Sequence, residues 1–175
     1  MTSQQTSVSD AAQKLPRIEG YLSSDPGNLD LLAMAIELSL AVGDVARARR
    51  HADAALARYP DDLFFRSRMA TVLMAQHEWS QAAAHLEAVI GSHAEVGIAY
   101  NLAYCYTWLG RHREAYDCLS AHATLAPLAP HAVTLLVRNL HHLGELEQAT
   151  ALVQAEMARC QADPAFLGQA SLLYF

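Results

Sequence analysis

The sequence predicts an all-α chain in which one helical pair recurs about four times, with a further helix at each end. Three observations carry this. Short turn sequences return at a nearly constant interval: Val42-Gly43-Asp44-Val45, Gln76-His77-Glu78-Trp79, Leu109-Gly110-Arg111-His112 and Leu143-Gly144-Glu145-Leu146, spaced 34 (43 to 77), 33 (77 to 110) and 34 (110 to 144) residues apart. Each turn has about 14 residues of helical periodicity on either side, so the repeating unit is helix, turn, helix. The composition is that of a folded chain, 53% hydrophobic and only 17% charged, and its 8 Gly and 6 Pro fall mainly at breaks between apolar-periodic segments.

Taken in order, residues 1–10 are polar and Ser/Gln/Thr-rich and are expected to be a mobile tail. They lack the basic and apolar stretches of a secretory leader, and no run approaches 18 apolar residues. Residues 11–25 form a leading helix with Pro16 in its first turn, closed by Asp25-Pro26-Gly27. The repeats follow at 29–62, 63–95, 96–129 and 130–162. Gly at the turn supplies the left-handed conformation that ends a helix without a Cβ clash. Five positions on, Ala48, Ala82, Ala115 and Ala149 let the paired helices approach closely. Pro60 and Pro127 close the first and third repeats. The second repeat carries His77 in place of the turn Gly and Gly91 in place of a closing Pro, and the fourth ends at Gln161 without one. Asp163-Pro164 then opens a terminal helix within 163–175, running through Leu172.

The x-Leu-Gly-x-x turn, the Ala that follows it and the aromatic or apolar partners one turn apart resemble the tetratricopeptide repeat (TPR) over residues 29 to 161, with the third repeat the nearest match. The resemblance implies a right-handed superhelical solenoid of about four TPR helix pairs with flanking N- and C-terminal helices, a single TPR domain over 11–175. It also implies a concave face lined by the first helix of each pair. The positions that match are Asp30, Ala33 and Glu37; Phe64, Ser67, Thr71 and Met74; Tyr100, Tyr104, Thr107 and Trp108; and His131, Thr134, Arg138 and His141. Helical spacing independently keeps 67, 71, 74 and 100, 104, 107 on one face. The surface is then acidic in the first repeat, aromatic in the third and His/Arg-bearing in the fourth. Such a groove suits a protein or peptide with apolar anchors. Tyr100 and Tyr104 can instead serve as packing aromatics, and Tyr106 is assigned to packing. The carboxylate clamp of heat-shock co-chaperones in this family does not carry over. The matching positions read Ala33, Glu37, Arg68, Gly97 and Asn101, or Ser67, Thr71, Asn101, His131 and Leu135, and only an isolated Arg or Asn survives.

A net charge of −6 and a pI near 5.8 disfavour a nucleic-acid partner. The 9 His make the balance pH-sensitive, although helix-surface roles account for most of them. Three cysteines (Cys105, Cys118, Cys160) without CxxC spacing point to a reduced, cytoplasmic protein. No metal site is expected. His141 and His142 are adjacent and point about 100° apart, and no HExxH or paired-carboxylate spacing accompanies them. No nucleophile elbow or phosphate loop is present, and neither cofactor nor enzyme activity is expected.

The last segment has no charged residue after Asp163. Phe166, Leu172, Leu173 and Phe175 are its candidate oligomer contacts, with docking on its own last repeat, a homodimer, or continuation into a longer chain as competing readings. The leading functional expectation is a non-catalytic bacterial adaptor or scaffold, the Arg-rich, Lys-poor usage pointing to bacteria. The alternatives are a chaperone resembling those of type III secretion translocators, and a regulatory or oligomerisation domain of a larger enzyme.

Overall fold

Residues 2–92, 95–123 and 128–173 are described by the computed structural model, and among them there are ten helices and no strand. They are α1 (Thr2–Ser24), α2 (Leu29–Ala41), α3 (Val45–Arg58), α4 (Leu63–Ala75), α5 (Trp79–Ile90), α6 (Val96–Trp108), α7 (His112–Ala123), α8 (Pro130–His142), α9 (Leu146–Cys160) and α10 (Pro164–Ser171). Contacts group them into two compact units, Met1–Val89 and Ile90–Phe175. A stacked helical repeat has mostly nearest-neighbour contacts, so it divides readily between repeats. Each unit is described by itself.

All four turns close with one hydrogen-bond pattern. The N–H of the residue after the turn position reaches five residues back (Asp44 to Ser39, Glu78 to Leu73, Arg111 to Tyr106, Glu145 to Leu140), and the turn residue's own N–H reaches three back. This is the Schellman closure, and it requires a left-handed residue. Gly43, Gly110 and Gly144 supply it at φ of 78°, 74° and 75°, and His77 adopts it at 61° despite its Cβ. The second repeat therefore departs in sequence and keeps the geometry. Helix starts are equally local: the side chains of Asn28, Asp44, Asp62 and Asp163 accept hydrogen bonds from backbone N–H groups three residues on.

In the first unit, α1 packs on α2, α2 on α3 and α3 on α4, with α2 also against α4. α1 contributes Ala11, Leu15, Ile18 and Leu22, a stripe at helical spacing, and Ala48, Ala52 and Ala55 of α3 are completely buried. Two expectations about the leading helix are corrected. It starts at Thr2 and not near residue 11, so residues 2–10 of the stretch assigned to a tail are helical. Pro16 consequently lies inside the helix and not in its first turn. No Gly or Pro precedes Leu15, and once a helix is nucleated each further residue adds a hydrogen bond.

In the second unit, α6 packs on α7, α7 on α8 and α8 on α9, with α6 also against α8, and α10 lies on both α8 and α9. With α6, α7, α9 and α10 all packed against it, α8 is buried from Ala132 through Val137 and again at Asn139 and Leu140. This corrects the assignment of Thr134 to an open face: it is 6% exposed, and its hydroxyl donates to the Pro130 carbonyl. Ala115 and Ala149 are fully buried at the predicted close approaches, as is Ala82 in the first unit. The expected closing Pro127 lies outside the described residues.

Candidate functional site

The faces formed by first helices differ between the units. In the first unit, Glu37 of α2 pairs with Arg68 of α4 at 2.7 Å, and the Arg68 guanidinium lies 4.7 Å from the Phe64 ring centre. Phe64 is 46% exposed and meets Phe65 edge-on at 5.4 Å. Glu37 is thus already engaged within the chain, and the acidic character expected there falls to Asp30. A cleft of about 260 Å³ opens between Leu29, Asp30, Ala33, Asp62, Phe64 and Phe65. Thr71 and Met74 are half-buried, and the Thr71 hydroxyl donates to the Ser67 carbonyl of its own helix.

In the second unit, the predicted aromatics form a ladder along α6. Tyr100 and Tyr104 have centroids 6.1 Å apart, Tyr104 and Trp108 6.2 Å, and His131 of α8 meets Tyr100 edge-on at 4.7 Å. The spacing of four places these rings on successive turns of one face. Both tyrosines are half-buried and Trp108 is 55% exposed, so the ladder is anchored at one end and open at the other. Burial pushes the Tyr100 phenol up, with Tyr104 adding to the shift and Arg138 opposing it, so the phenol stays neutral. Arg138 and His141 are half-buried. Tyr106 is buried as expected, beneath the Arg111 guanidinium at 4.1 Å from its ring centre.

Thr107 is turned away from this role. Its hydroxyl donates to the Ala103 carbonyl at 2.8 Å and accepts from Asn139 Nδ2 at 2.9 Å. Asn139, 1% exposed, also donates to the Leu135 carbonyl at 2.8 Å. The Nδ1 of His112 lies 2.9 Å from Asn139 Oδ1, so His112 carries its proton there. His112 in turn stacks on His142 with centroids 4.4 Å apart and planes 8° from parallel. Burial first, then the neighbouring His112, His141 and Arg138, hold the His142 pKa below its ordinary value. Sequence reasoning missed this Asn139–His112–His142 group. Its one available signal is the single amide of α8, set in a mostly apolar stretch 32 residues after Thr107.

Elsewhere, burial raises all three free thiols, Cys105 and Cys118 to about 11, so they stay protonated at neutral pH. Among the described residues no three His, Cys, Asp or Glu are grouped to hold a metal, and no helix is long and apolar enough to cross a membrane. α10 docks on its own unit through Phe166, which is completely buried and therefore corrected from an oligomer contact to a core residue. Leu172 is 57% exposed and Leu173 half-buried, while Leu167, not singled out from the sequence, is 43% exposed; Phe175 lies outside the described residues.

No protein-family model matches the sequence, and no curated protein matches it. Solved structures do. A MamA fragment from Desulfovibrio magneticus RS-1 superposes with a TM-score of 0.81 at 16% identity, over 92% of this chain and 93% of that one. YrrB, described as a TPR protein with an unusual peptide-binding site, gives 0.77 at 15%, over 90% of this chain and 81% of that one. A thermophilic TPR protein of Thermus thermophilus gives 0.68 at 18%, over 99% and 100%. With the four identical turn closures, these likenesses establish that the chain is an all-α helical-repeat protein with the tetratricopeptide-repeat fold.

Proposed function

We propose that the chain is a non-catalytic scaffold or adaptor that holds a protein or peptide on the first-helix face of its second unit. The observation that carries this reading is the Tyr100–Tyr104–Trp108 ladder with its open Trp108. Rigid aromatic side chains, apolar on their faces and polar at one edge, give large contact area at low entropic cost and dominate interface energies. That YrrB is described as having a peptide-binding site adds support. Three free cysteines favour a reducing compartment, the cytoplasm.

The test is affinity capture from the native host with the intact chain and with a Tyr100→Ala, Tyr104→Ala, Trp108→Ala variant. Truncation at hot spots costs about 2 kcal/mol or more, roughly 30-fold in affinity. The variant should lose the captured partner while keeping its far-ultraviolet dichroism. Undiminished capture would reject the assignment.

A further inference from the structure

Charge is segregated within the second unit. Residues 90–175 contain four Arg and seven Asp or Glu. None of the carboxylates lies on α6 or α8. Glu95 caps the start of α6, Glu114 and Asp117 lie on α7, and Glu145, Glu147, Glu156 and Asp163 belong to α9, its cap and the cap of α10. Three of the four Arg are answered by a carboxylate: Arg111 by Glu114, Arg113 by Glu145 and Arg159 by Glu156. The fourth, Arg138, pairs with no carboxylate among the described residues. It shares its face of α8 with His131 and His141, seven positions before and three after.

We propose that the α6–α8 face selects an acidic partner segment, one in which Asp or Glu carboxylates accompany aromatic or aliphatic anchors. This rests on the reading of that face as the protein-binding site and adds the chemistry of what binds. The guanidinium of Arg138 presents a planar fork that takes a carboxylate through two parallel N–H donors. The rings of His131 and His141 each offer at least one N–H in either protonation state. The ladder of Tyr100, Tyr104 and Trp108 receives the anchors. A basic segment would meet Arg138 with no counter-charge on either helix, so attraction and repulsion act in the same direction.

The chain as a whole points the other way. A net charge of −6 attracts basic partners at long range, whereas the local face favours acidic ones.

The test is selection of random twelve-residue peptides displayed against the full chain at 50 mM NaCl. The selection is repeated on Arg138→Gln and on the triple aromatic variant, with dichroism confirming that each is folded. Binders of the unaltered chain should be enriched in Asp and Glu over Lys and Arg, with aromatic or Leu anchors. Arg138→Gln should remove that bias and weaken the recovered acidic peptides about tenfold, the scale of a charge-assisted hydrogen bond. Arg138→Lys, which keeps the charge and loses the fork, should fall between. Binders that need the three aromatics but show no acidic bias, or a basic one, would overturn this inference and leave the binding face standing. Binders indifferent to the aromatics, or none at all, would remove the binding face and the inference together.

Discussion

Substituting Gly110 by Ala isolates the cost of the left-handed turn on which the repeat depends. Gly110 sits at φ 74°, and a Cβ built there meets no heavy atom within 4 Å, so the change introduces neither a clash nor a cavity. What remains is conformational. An L-residue in the left-handed region costs about 1–2 kcal/mol. Replacing Gly stiffens the unfolded chain and returns about 0.4–1 kcal/mol. The expected net loss is between about 0 and about 1.6 kcal/mol, centred on about 0.8 kcal/mol. Gly144→Ala, with φ 75° and equally open surroundings, should match it. His77→Gly runs in the opposite sense. It relieves the same strain at φ 61° but gives up the stiffening of the unfolded chain and the edge contact with Trp79 at 5.2 Å. That contact is worth about 0.5 kcal/mol, so the variant should lie between about 0.5 kcal/mol less and about 1.1 kcal/mol more stable, centred on about 0.3 kcal/mol more stable. Urea unfolding followed by dichroism reads all three; at a slope of about 2 kcal/mol per molar, a loss of 1 kcal/mol moves the midpoint by roughly 0.5 M without changing the slope. A Gly110→Ala more stable than the unaltered chain, or a His77→Gly less stable by more than about 0.5 kcal/mol, would refute the reasoning.

Asn139→Ala leaves the half-buried Thr107 and His112 without the buried amide between them and should cost about 1–3 kcal/mol in the same assay; a shift within the error of the unaltered chain would show the network to be dispensable. Phe166→Ala removes the one fully buried aromatic of α10 and should cost about 3–5 kcal/mol, with earlier proteolytic cutting after Cys160; unchanged digestion would contradict the docking of that helix. Stability should fall with acid, because His142 and His85 are both held below the ordinary value of 6.5, each by burial first and then by neighbouring charge, Arg66 and Arg49 for His85. The unfolded chain then binds protons more readily than the folded one, so the stability they contribute is present above about pH 6.5 and is lost as the pH drops below it. Urea midpoints at pH 7.5, 6.5 and 5.5 should decline, and His85→Gln with His142→Gln should flatten the decline; a midpoint that rises with acid would reverse the assignment.

The turn register was readable from residues alone because its cause is local. A left-handed residue must end each first helix, Gly takes that conformation freely, and the closing hydrogen bonds span only five residues. The same holds for the helix start at Asp163 and for the small residues at Ala48, Ala82, Ala115 and Ala149; the caps at Asn28, Asp44 and Asp62, found in the structure, have an equally local cause. The aromatic ladder was readable for a related reason: the spacing of Tyr100, Tyr104 and Trp108 places them on one helix face whatever surrounds it.

Which of those face positions stay open was decided by tertiary neighbours. Thr134 is covered because α6, α7, α9 and α10 all touch α8. Thr107 is turned inward by an amide 32 residues away, Glu37 is engaged by Arg68, and Phe166 is core because α10 folds back on its own unit. Helical spacing specifies the direction in which a side chain leaves its helix. Whether it meets solvent, a guanidinium or another helix depends on contacts between segments far apart in sequence, and those contacts separate the exposed positions of this repeat from the covered ones.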